Sequence, residues 1–264
     1  MSQDIEKFQE DDSVEEHIIN APIFVCWWSG LESSPELVKI CIRSIKDHAG
    51  NHPVFLIDQN NVGDYLKIPK HILDLVNTDQ ICLANFSDYL RFSLLNQYGG
   101  LWIDSTVYCS SGIPDKYFEF PLFTCNAKPG TGYISDGKWT SFIIGGNKGH
   151  TLFKYIQAAF ETYWRKERNV IDYLMLDYLI RLGYMYIPQI KKDLDSIPLN
   201  NLHRNELRLA MNRGEPGETL EQYIYENTCF NKLSWRESYS VTNAKGQKTV
   251  YAAFMNLAIS NKQR

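Results

Sequence analysis

The segment from Asn85 to Tyr108 constrains the fold of this chain more than any other stretch. Its first half places apolar residues at four-residue steps, which predicts an amphipathic helix with Asn85 as its N-terminal cap. Gly99 and Gly100 then permit the left-handed backbone that ends a helix. The apolar run that follows predicts a buried strand, and Asp104 comes where that strand would leave the sheet. Because ligands bind at the carboxyl ends of strands in open α/β sheets, we expect a ligand site at Asp104.

Asp88 and Arg91 are three positions apart and therefore share one face of the predicted helix. Two interpretations of this pair stay open. In the first, Asp88 stabilises only the N-terminus of the helix, and Arg91 is its partner at the surface. In the second, the two side chains bind a substrate together with Asp104.

A strand, a helix and a second strand precede this segment. Residues 23–28 and 53–57 are strand-prone apolar runs, and Pro35 follows serines that can cap a helix between them. This order predicts a βαβ unit with a parallel strand pair, and hence an α/β fold. A chain of 264 residues is long enough to form it as one large domain.

Side-chain patterning predicts the remaining elements. Further strands are expected at 81–83, 121–125 and 139–144, and helices at 69–76, 151–168, 172–180, 202–212 and 219–227.

Trp27 and Trp28 end the first predicted strand and Asp58 follows the second, at the edge where a ligand would bind. An indole there can stack on a base or a sugar ring. Because neighbours on a strand point to opposite faces, we expect one tryptophan to bind a ligand and the other to lie in the core. Asp58 can contact a ribose or cap its own loop, and both interpretations stay open.

Two later helices carry further candidate residues. The helix at 151–168 combines aromatic residues with a basic end, which can contact a membrane surface, or alternatively packs its apolar face into the core. The helix at 172–180 is apolar except for its aspartates. Because a buried carboxylate is costly unless it is paired or functional, Asp177 is a candidate site residue, with a hydrogen bond to backbone as the alternative.

The composition excludes several classes of protein. A net charge of −4 without a long basic block argues against a nucleic-acid binder. The first sixteen residues are acidic and lack the apolar core of a signal peptide, and no apolar run reaches the length of a spanning helix, so we expect a cytoplasmic protein.

The six cysteines form no C-x-x-C pair and are expected to be reduced. Three histidines lie on polar segments and are expected at the surface: His71, His150 and His203. Because no catalytic histidine is recognisable, a phosphotransferase that acts on a sugar phosphate is disfavoured.

The central segment resembles a known motif. S-D-x-x-R followed by Y-G-G-L-W-I-D-S-T is similar to the motif of family 32 glycosyltransferases and, more closely, of bacterial capsular polysaccharide synthesis proteins. The matching residues are Ser87, Asp88, Arg91, Tyr98, Gly99, Gly100, Asp104 and Thr106.

This resemblance implies a GT-A type, Rossmann-like fold with a mainly parallel or mixed sheet flanked by helices. It also implies that Asp88 and Arg91 contact hydroxyls of the donor sugar, and that Asp104 and Thr106 hold Mn²⁺ or Mg²⁺ at the diphosphate. Thr106 stands where classical members have a second aspartate, which removes one negative charge from the expected metal site. The implied single domain spans 1–264, with an acidic leader at 1–20, a nucleotide-sugar-binding half at 22–110 and an acceptor-side half at 111–264.

The segment 228–236 resembles the H-K-L-[ST]-[WYF]-K ending of capsular relatives, with Asn231 in place of the histidine. The resemblance implies that Lys232 and Trp235 bind the leaving diphosphate. A surface hairpin that begins at 228 is the alternative.

The predicted function is that of a glycosyltransferase that uses a nucleoside diphosphate sugar, with UDP as the expected nucleotide. The resemblance implies a saccharide or lipid-linked saccharide acceptor, retention of anomeric configuration, and catalysis by Asp104, Arg91 and Asp177. Lipid-linked acceptors would place the protein at the inner face of the membrane. A degenerate sugar-nucleotide-binding or glycan-binding protein without catalysis is the alternative. The sequence leaves the oligomeric state open.

Overall fold

The computed structural model describes residues 20–130, 132–215 and 218–260, with the side chains of 257–260 excepted, so the predicted acidic leader lies outside the described residues except for its last position. The strands are β1 Ile23–Cys26, β2 Val54–Ile57, β3 Gly100–Ile103, β4 Val107–Cys109, β5 Leu122–Thr124, β6 Ile143–Gly146 and β7 Phe230–Lys232. The α-helices are α1 Glu36–His48, α2 Val62–Tyr65, α3 Lys70–Asn77, α4 Leu83–Tyr98, α5 Thr151–Lys166, α6 Met175–Tyr186, α7 Pro188–Ser196, α8 Glu206–Ala210 and α9 Val250–Ser260.

These elements belong to two compact units. The sheet unit comprises the described residues up to Gly30, together with Asn51–Ile103 and Pro114–Leu199. The ribbon unit comprises Leu31–Gly50, Asp104–Ile113 and the described residues from Asn200 onward. The organisation of the chain as a single functional domain stays a prediction.

The sheet unit contains a five-stranded mixed sheet in the order β2-β1-β3-β6-β5. β1 is parallel to both β2 and β3, which confirms the predicted parallel pair. β6 is antiparallel to its neighbours β3 and β5. Helix α4 packs against β1 and β3, and α7 packs against β5. The predicted α/β class, with a mixed sheet flanked by helices, is therefore confirmed.

Gly100 is required by the close approach of two backbone segments. The amide of Leu101 donates to the carbonyl of Pro22 at 2.9 Å, which brings β3 into register beside β1. A Cβ atom on Gly100 would lie 2.1 Å from that carbonyl oxygen, and the residue has a φ of +86°. A larger side chain would therefore force the strands apart at the point where the chain turns from α4 into the sheet.

Helix α4 begins two residues before the predicted cap. Cys82 is the N-cap, and its thiol donates to Asn85 Oδ1 at 2.8 Å, so Asn85 lies inside the first turn. The strand predicted at 81–83 is wrong because this short apolar run leads directly into the helix. Phe86, Leu90 and Leu94 are buried as the spacing predicts.

Two other boundaries in the sheet unit differ from expectation. The strand predicted at 139–144 begins only at Ile143. Helix α6 begins at Met175, because the Asp172 carboxylate accepts from the amide of Leu174 at 2.7 Å and closes a turn ahead of the helix.

The ribbon unit is built on an antiparallel pair of strands, β4 and β7. The alternative of a surface hairpin that begins at 228 is therefore wrong, because β7 pairs with a strand more than a hundred positions earlier in the chain. The helices predicted at 202–212 and 219–227 shorten to α8 and to a 3₁₀ turn at Leu220–Tyr223. The core of the ribbon unit contains apolar residues from α1, α8, α9 and this 3₁₀ turn, among them Leu37, Leu207, Leu220 and Phe254.

None of the helices in the described part of the chain is both long enough and apolar enough to cross a membrane.

Candidate functional site

The carboxyl ends of β1 and β2 form one edge of the parallel part of the sheet, and they carry Trp27, Trp28 and Asp58. Both tryptophans are half-buried. The expectation that they point to opposite faces does not apply, because β1 ends at Cys26 and both lie in the turn after it. The Trp28 ring packs edge-on against Phe86, with ring centroids 4.9 Å apart.

Asp58 serves its own loop. Its Oδ1 accepts from the amides of Asn60 at 2.7 Å and Asn61 at 3.1 Å, so the loop-capping interpretation holds. Its other oxygen points toward Gly30, where an added Cβ would lie 3.7 Å away. A ribose contact through Asp58 stays a prediction.

Asp88 and Arg91 form an ion pair that is largely withdrawn from solvent. Arg91 Nη1 donates to Asp88 Oδ1 at 2.9 Å, and the Arg91 and Asp88 side chains are 5% and 16% exposed respectively. The guanidinium lies 5.0 Å from the centre of the Trp102 ring on β3. This burial contradicts the interpretation of a surface pair that serves only the helix terminus. The role of this pair in substrate binding stays a prediction.

Asp177 on α6 is half-buried, and its Oδ1 accepts from the Trp139 indole at 2.8 Å. Burial raises the pKa of this carboxyl above its ordinary value, and the Trp139 hydrogen bond and the positive charge of Arg91 lower it in part. The hydrogen-bond partner of Asp177 is therefore the Trp139 indole and not the backbone group of the alternative interpretation. The influence of Arg91 means that Asp177 and the Asp88–Arg91 pair are electrostatic neighbours within the sheet unit.

Lys232 binds two predicted site residues in the ribbon unit. Its Nζ donates to Asp104 Oδ2 and to Thr106 Oγ1, at 2.7 Å in each case. The side chains of Lys232 and Asp104 are 21% and 26% exposed, so the pair is open to solvent on one side. We call Asp104, Thr106 and Lys232 the lysine cluster.

The β4–β7 register fixes this arrangement. Lys232 lies opposite Val107, and the amide of Leu233 donates to the Thr106 carbonyl at 2.9 Å. Asn231, the neighbour of Lys232, points to the other face of the ribbon. There its amide donates to Tyr108 O at 3.3 Å and to Ser110 Oγ at 3.0 Å. Asn231 is thus a structural residue of the ribbon.

The residues of the lysine cluster do not fit a divalent metal. Mn²⁺ and Mg²⁺ prefer several oxygen ligands, with carboxylates among them. The cluster offers one carboxylate and one hydroxyl, and an ammonium group already contacts both. Among the described residues, no group of three or more His, Cys, Asp or Glu side chains could hold a metal ion.

Trp235 lies three positions beyond Lys232 and is 44% exposed. The Arg236 guanidinium stacks on its ring at 5.5 Å from the centroid. Its predicted contact with a diphosphate stays a prediction.

His150 is not the surface residue that its polar surroundings predict. It is 3% exposed, and its Nε2 lies 2.9 Å from Asp193 Oδ2. Its Nδ1 accepts from the Leu152 amide at 3.1 Å and so caps α5. Because an accepting Nδ1 carries no proton, Nε2 is the donor to Asp193. The residue links α5 to α7 and belongs to the scaffold.

The aromatic residues of α5 also belong to the scaffold. Tyr155, Phe160 and Trp164 are at most 2% exposed. The alternative, in which the apolar face of this helix packs into the core, is therefore confirmed, while membrane contact by the protein stays a prediction.

Sequence reasoning missed the roles of Trp102 and Trp139. Both are almost fully buried, yet one lies against Arg91 and the other donates to Asp177. An indole is apolar except for one N–H, so nothing in the pattern distinguishes these residues from ordinary core positions. The resemblance implied that Lys232 and Asp104 both lie near the diphosphate, but local patterning could not predict their direct contact, since the two residues lie 128 positions apart.

A family model described as capsular polysaccharide synthesis protein matches residues 1–254. The chain belongs to this family. The resemblance to capsular polysaccharide synthesis proteins is thereby confirmed, whereas the more distant one to family 32 stays a prediction. A comparison of this capsular polysaccharide synthesis protein with curated protein sequences gives no match.

The solved structures that are similar to this chain include two described as glycosyltransferases. One is described as PaToxG glycosyltransferase, at 16% identity and a TM-score of 0.45, over 67% of this chain and 73% of that one. The other is the apo structure of the bifunctional glycosyltransferase WbbM, at 10% identity and a TM-score of 0.40. That match covers 93% of this chain and 51% of the other, or about half of its length.

Proposed function

We propose that this protein is a glycosyltransferase that moves a sugar from a nucleoside diphosphate donor to a saccharide hydroxyl in capsular or surface polysaccharide synthesis. The observation that carries the proposal is the family match over residues 1–254. Building a polysaccharide requires glycosyl transfer, and the chain holds buried and half-buried carboxylates of the kind that recognise sugar hydroxyls.

Asp88 and Arg91 are proposed to bind the donor sugar. A carboxylate accepts hydrogen bonds from sugar hydroxyls and a guanidinium donates to them, so the pair can read one hydroxyl from both sides. Arg91 Nη1 lies 2.9 Å from Asp88 Oδ1 on the same helix, so the two side chains present a fixed geometry to a ligand. The positive charge of Arg91 lowers the pKa of the Asp177 carboxyl in part. Asp177 is proposed to contact the transferring sugar or the acceptor hydroxyl.

The chemical step breaks the bond between the sugar C1 and the diphosphate oxygen, with the electron pair moving onto that oxygen. A new bond forms from the acceptor oxygen to C1. For the expected retaining outcome the acceptor enters on the side of the leaving group, and its hydroxyl proton passes to the departing diphosphate. The main catalytic requirement is therefore positive charge at the diphosphate. Asp104 is proposed to organise that region.

UDP as the nucleotide, a saccharide or lipid-linked saccharide acceptor and a cytoplasmic location at the inner membrane face are parts of the same proposal. The expected contact with the membrane cannot use the buried aromatic residues of α5. It would use the exposed side chains that follow this helix, which include Ile171 and Tyr173 at 81% and 66% exposure.

The experiment that tests this proposal measures nucleotide release from a panel of UDP-, GDP- and TDP-sugars, each with Mn²⁺, with Mg²⁺ and with chelator. Slow hydrolysis of one donor in any of these conditions supports a glycosyltransferase and names the sugar. NMR of the product anomeric proton, once an acceptor is found, tests retention. Absence of release from every donor, with and without saccharide acceptors, contradicts the proposal.

A degenerate binding protein is the second candidate, and the lysine cluster is the observation that favours it. Thr106 replaces the second aspartate of the motif, and Lys232 contacts an oxygen of each residue in the expected metal site, Asp104 Oδ2 and Thr106 Oγ1. Such a protein would bind a nucleotide sugar and leave it intact over hours. The donor panel therefore separates the two candidates, because only the enzyme releases nucleotide.

A further inference from the structure

We propose that the Lys232 ammonium supplies the positive charge that binds the donor's diphosphate, and that nucleotide binding by this protein requires no divalent metal. The inference rests on the proposed glycosyltransferase function, and it replaces the metal that the motif resemblance implies. Its basis is the lysine cluster.

The ammonium group lies where a cation at this motif would lie. A metal held by Asp104 and Thr106 would contact a carboxylate oxygen of Asp104 and the hydroxyl of Thr106, and Lys232 Nζ lies 2.7 Å from Asp104 Oδ2 and from Thr106 Oγ1. The formal charges of Asp104 and Lys232 cancel. In the absence of a donor, a divalent cation at this carboxylate would therefore have to displace, or lie beside, a positive group.

The neighbouring Cys41 does not change this balance. Cys41 on α1 is fully buried, and burial raises the pKa of its thiol well above the ordinary value, while the positive charge of Lys232 lowers it in part. The thiol is therefore neutral at physiological pH. It provides no second anion to hold a metal and no second partner charge for Lys232.

Lys232 is also held in position by its backbone. Its amide donates to the Arg204 carbonyl at 2.7 Å, and the next residue pairs with Thr106. The side chain reaches Asp104 from this fixed strand and remains 21% exposed. A preorganised, partly open cation needs little rearrangement to meet a phosphate group.

A diphosphate is the ligand that fits this group. A lysine ammonium binds phosphate as a compact point charge with three N–H donors, and it needs no fixed ligand geometry. As the C1–O bond breaks, the ammonium keeps its protons and donates hydrogen bonds to the oxygen that receives the electron pair. Asp104 keeps the ammonium aligned and so acts as a positioning residue for it.

Calorimetric titration of the full chain with UDP, and then with GDP and TDP, tests the inference. Each titration is run with EDTA and with Mn²⁺, on the wild type, Lys232→Met, Lys232→Arg and Lys245→Ala. Lys245 is an exposed lysine of the same unit outside the cluster, so its substitution removes the same charge without touching the site. Depletion of free Mn²⁺ by the nucleotide-free protein is measured by electron paramagnetic resonance.

We expect the wild type to bind one nucleotide with dissociation constants in EDTA and Mn²⁺ that agree within about twofold. Lys232→Met should bind it at least tenfold more weakly in EDTA, Lys232→Arg should recover part of the loss, and Lys245→Ala should match the wild type. Binding that is tenfold tighter with Mn²⁺, stoichiometric uptake of free Mn²⁺, or a folded Lys232→Met with wild-type affinity overturns the inference and leaves the proposed function intact. If the wild type binds none of the three nucleotides in either condition, the proposed function fails as well. The wild-type comparison stands even if a variant does not fold.

Discussion

The sheet unit and the ribbon unit each contain a cation–carboxylate pair, and the chain makes the two pairs in different ways. Asp88 and Arg91 are three positions apart on one helix, and Arg91 is almost fully buried. Asp104 and Lys232 come from segments that are distant in sequence, and both are about a quarter exposed. The first pair is tied to the packing of α4, whereas the second is partly open to solvent. We therefore expect substitutions to affect mainly stability and donor binding in the first case, and mainly nucleotide binding and chemistry in the second.

The largest effect is expected from Asp104→Asn. Loss of the carboxylate removes the group that aligns Lys232, so transfer should fall by about a hundred- to a thousand-fold, or about 3 to 4 kcal/mol. The unfolding free energy should change by less than about 1 kcal/mol, because the pair is partly exposed. Steady-state kinetics and chemical denaturation of the same preparation check both values. Transfer at the wild-type rate would exclude Asp104 from the site.

Arg91→Ala should have the next largest effect, and it should appear in stability. It leaves the Asp88 carboxylate largely buried without its guanidinium and removes the contact with Trp102, so the free energy of unfolding should fall by about 3 kcal/mol. Donor use should weaken too. The matched control is Lys70→Ala, which breaks the exposed i,i+4 pair with Asp74 in the same unit and should cost about 0.5 kcal/mol or less. Equal losses in the two variants would show that burial of the Arg91 pair carries no special stability.

Thr106→Asp sharpens the comparison by restoring the second carboxylate of the motif. The cluster would then hold two negative charges against one ammonium, which suits a divalent cation better. We expect Mn²⁺ to strengthen UDP binding about tenfold in this variant, or about 1.4 kcal/mol, and to have no such effect on the wild type. Titrations with and without Mn²⁺ measure the difference. A Thr106→Asp variant whose UDP affinity does not respond to Mn²⁺ would show that the single substitution does not build a metal site.

Asp177→Asn should change the free energy of unfolding only modestly, and the change should depend on pH in a defined way. Burial raises the pKa of Asp177, so its ionised form costs folding free energy at neutral pH, and this cost fades as the pH falls through the raised pKa toward 3.8. Asparagine keeps an oxygen that can accept from Trp139. The variant should therefore equal or exceed the wild type at pH 7 by up to about 1 kcal/mol, and the gain should vanish at low pH. Denaturation curves across this pH range check the sign, and a less stable variant at pH 7 would mean that attraction to Arg91 outweighs desolvation.

The local parts of the molecule could be predicted from the sequence. The helix with Asp88 and Arg91, the glycine stop at 99 and 100 and the parallel strand pair follow from spacing, apolar runs and backbone freedom, all of which act within a few residues. The predicted ends of helices were less accurate where a side chain caps the helix or closes a turn before it. Asn85 looked like a cap, but Cys82 begins α4, and Asp172 delays α6 by forming a turn.

Non-local parts could not be predicted. The strand at 230–232 looked like part of a hairpin because its real partner, β4, is far away in the chain. His150 was predicted at the surface because its sequence neighbours are polar. It is buried in the folded chain, where its imidazole pairs with Asp193 on α7. The candidate site shows the same division. Its individual residues were identified by motif, whereas the contacts of Lys232 with Asp104 and of Trp139 with Asp177 arise only in the folded chain.

The pairing of β4 with β7 also has a consequence for how the protein is made. A ribosome adds roughly 5 to 20 residues per second, so the 128 positions between Asp104 and Lys232 correspond to roughly 6 to 26 seconds of synthesis. The segments of the sheet unit have all been translated by Leu199, before β7 exists. During that interval the backbone edge of β4 that pairs with β7 in the finished protein has no strand partner from β7. The lysine cluster is thus among the last features to form.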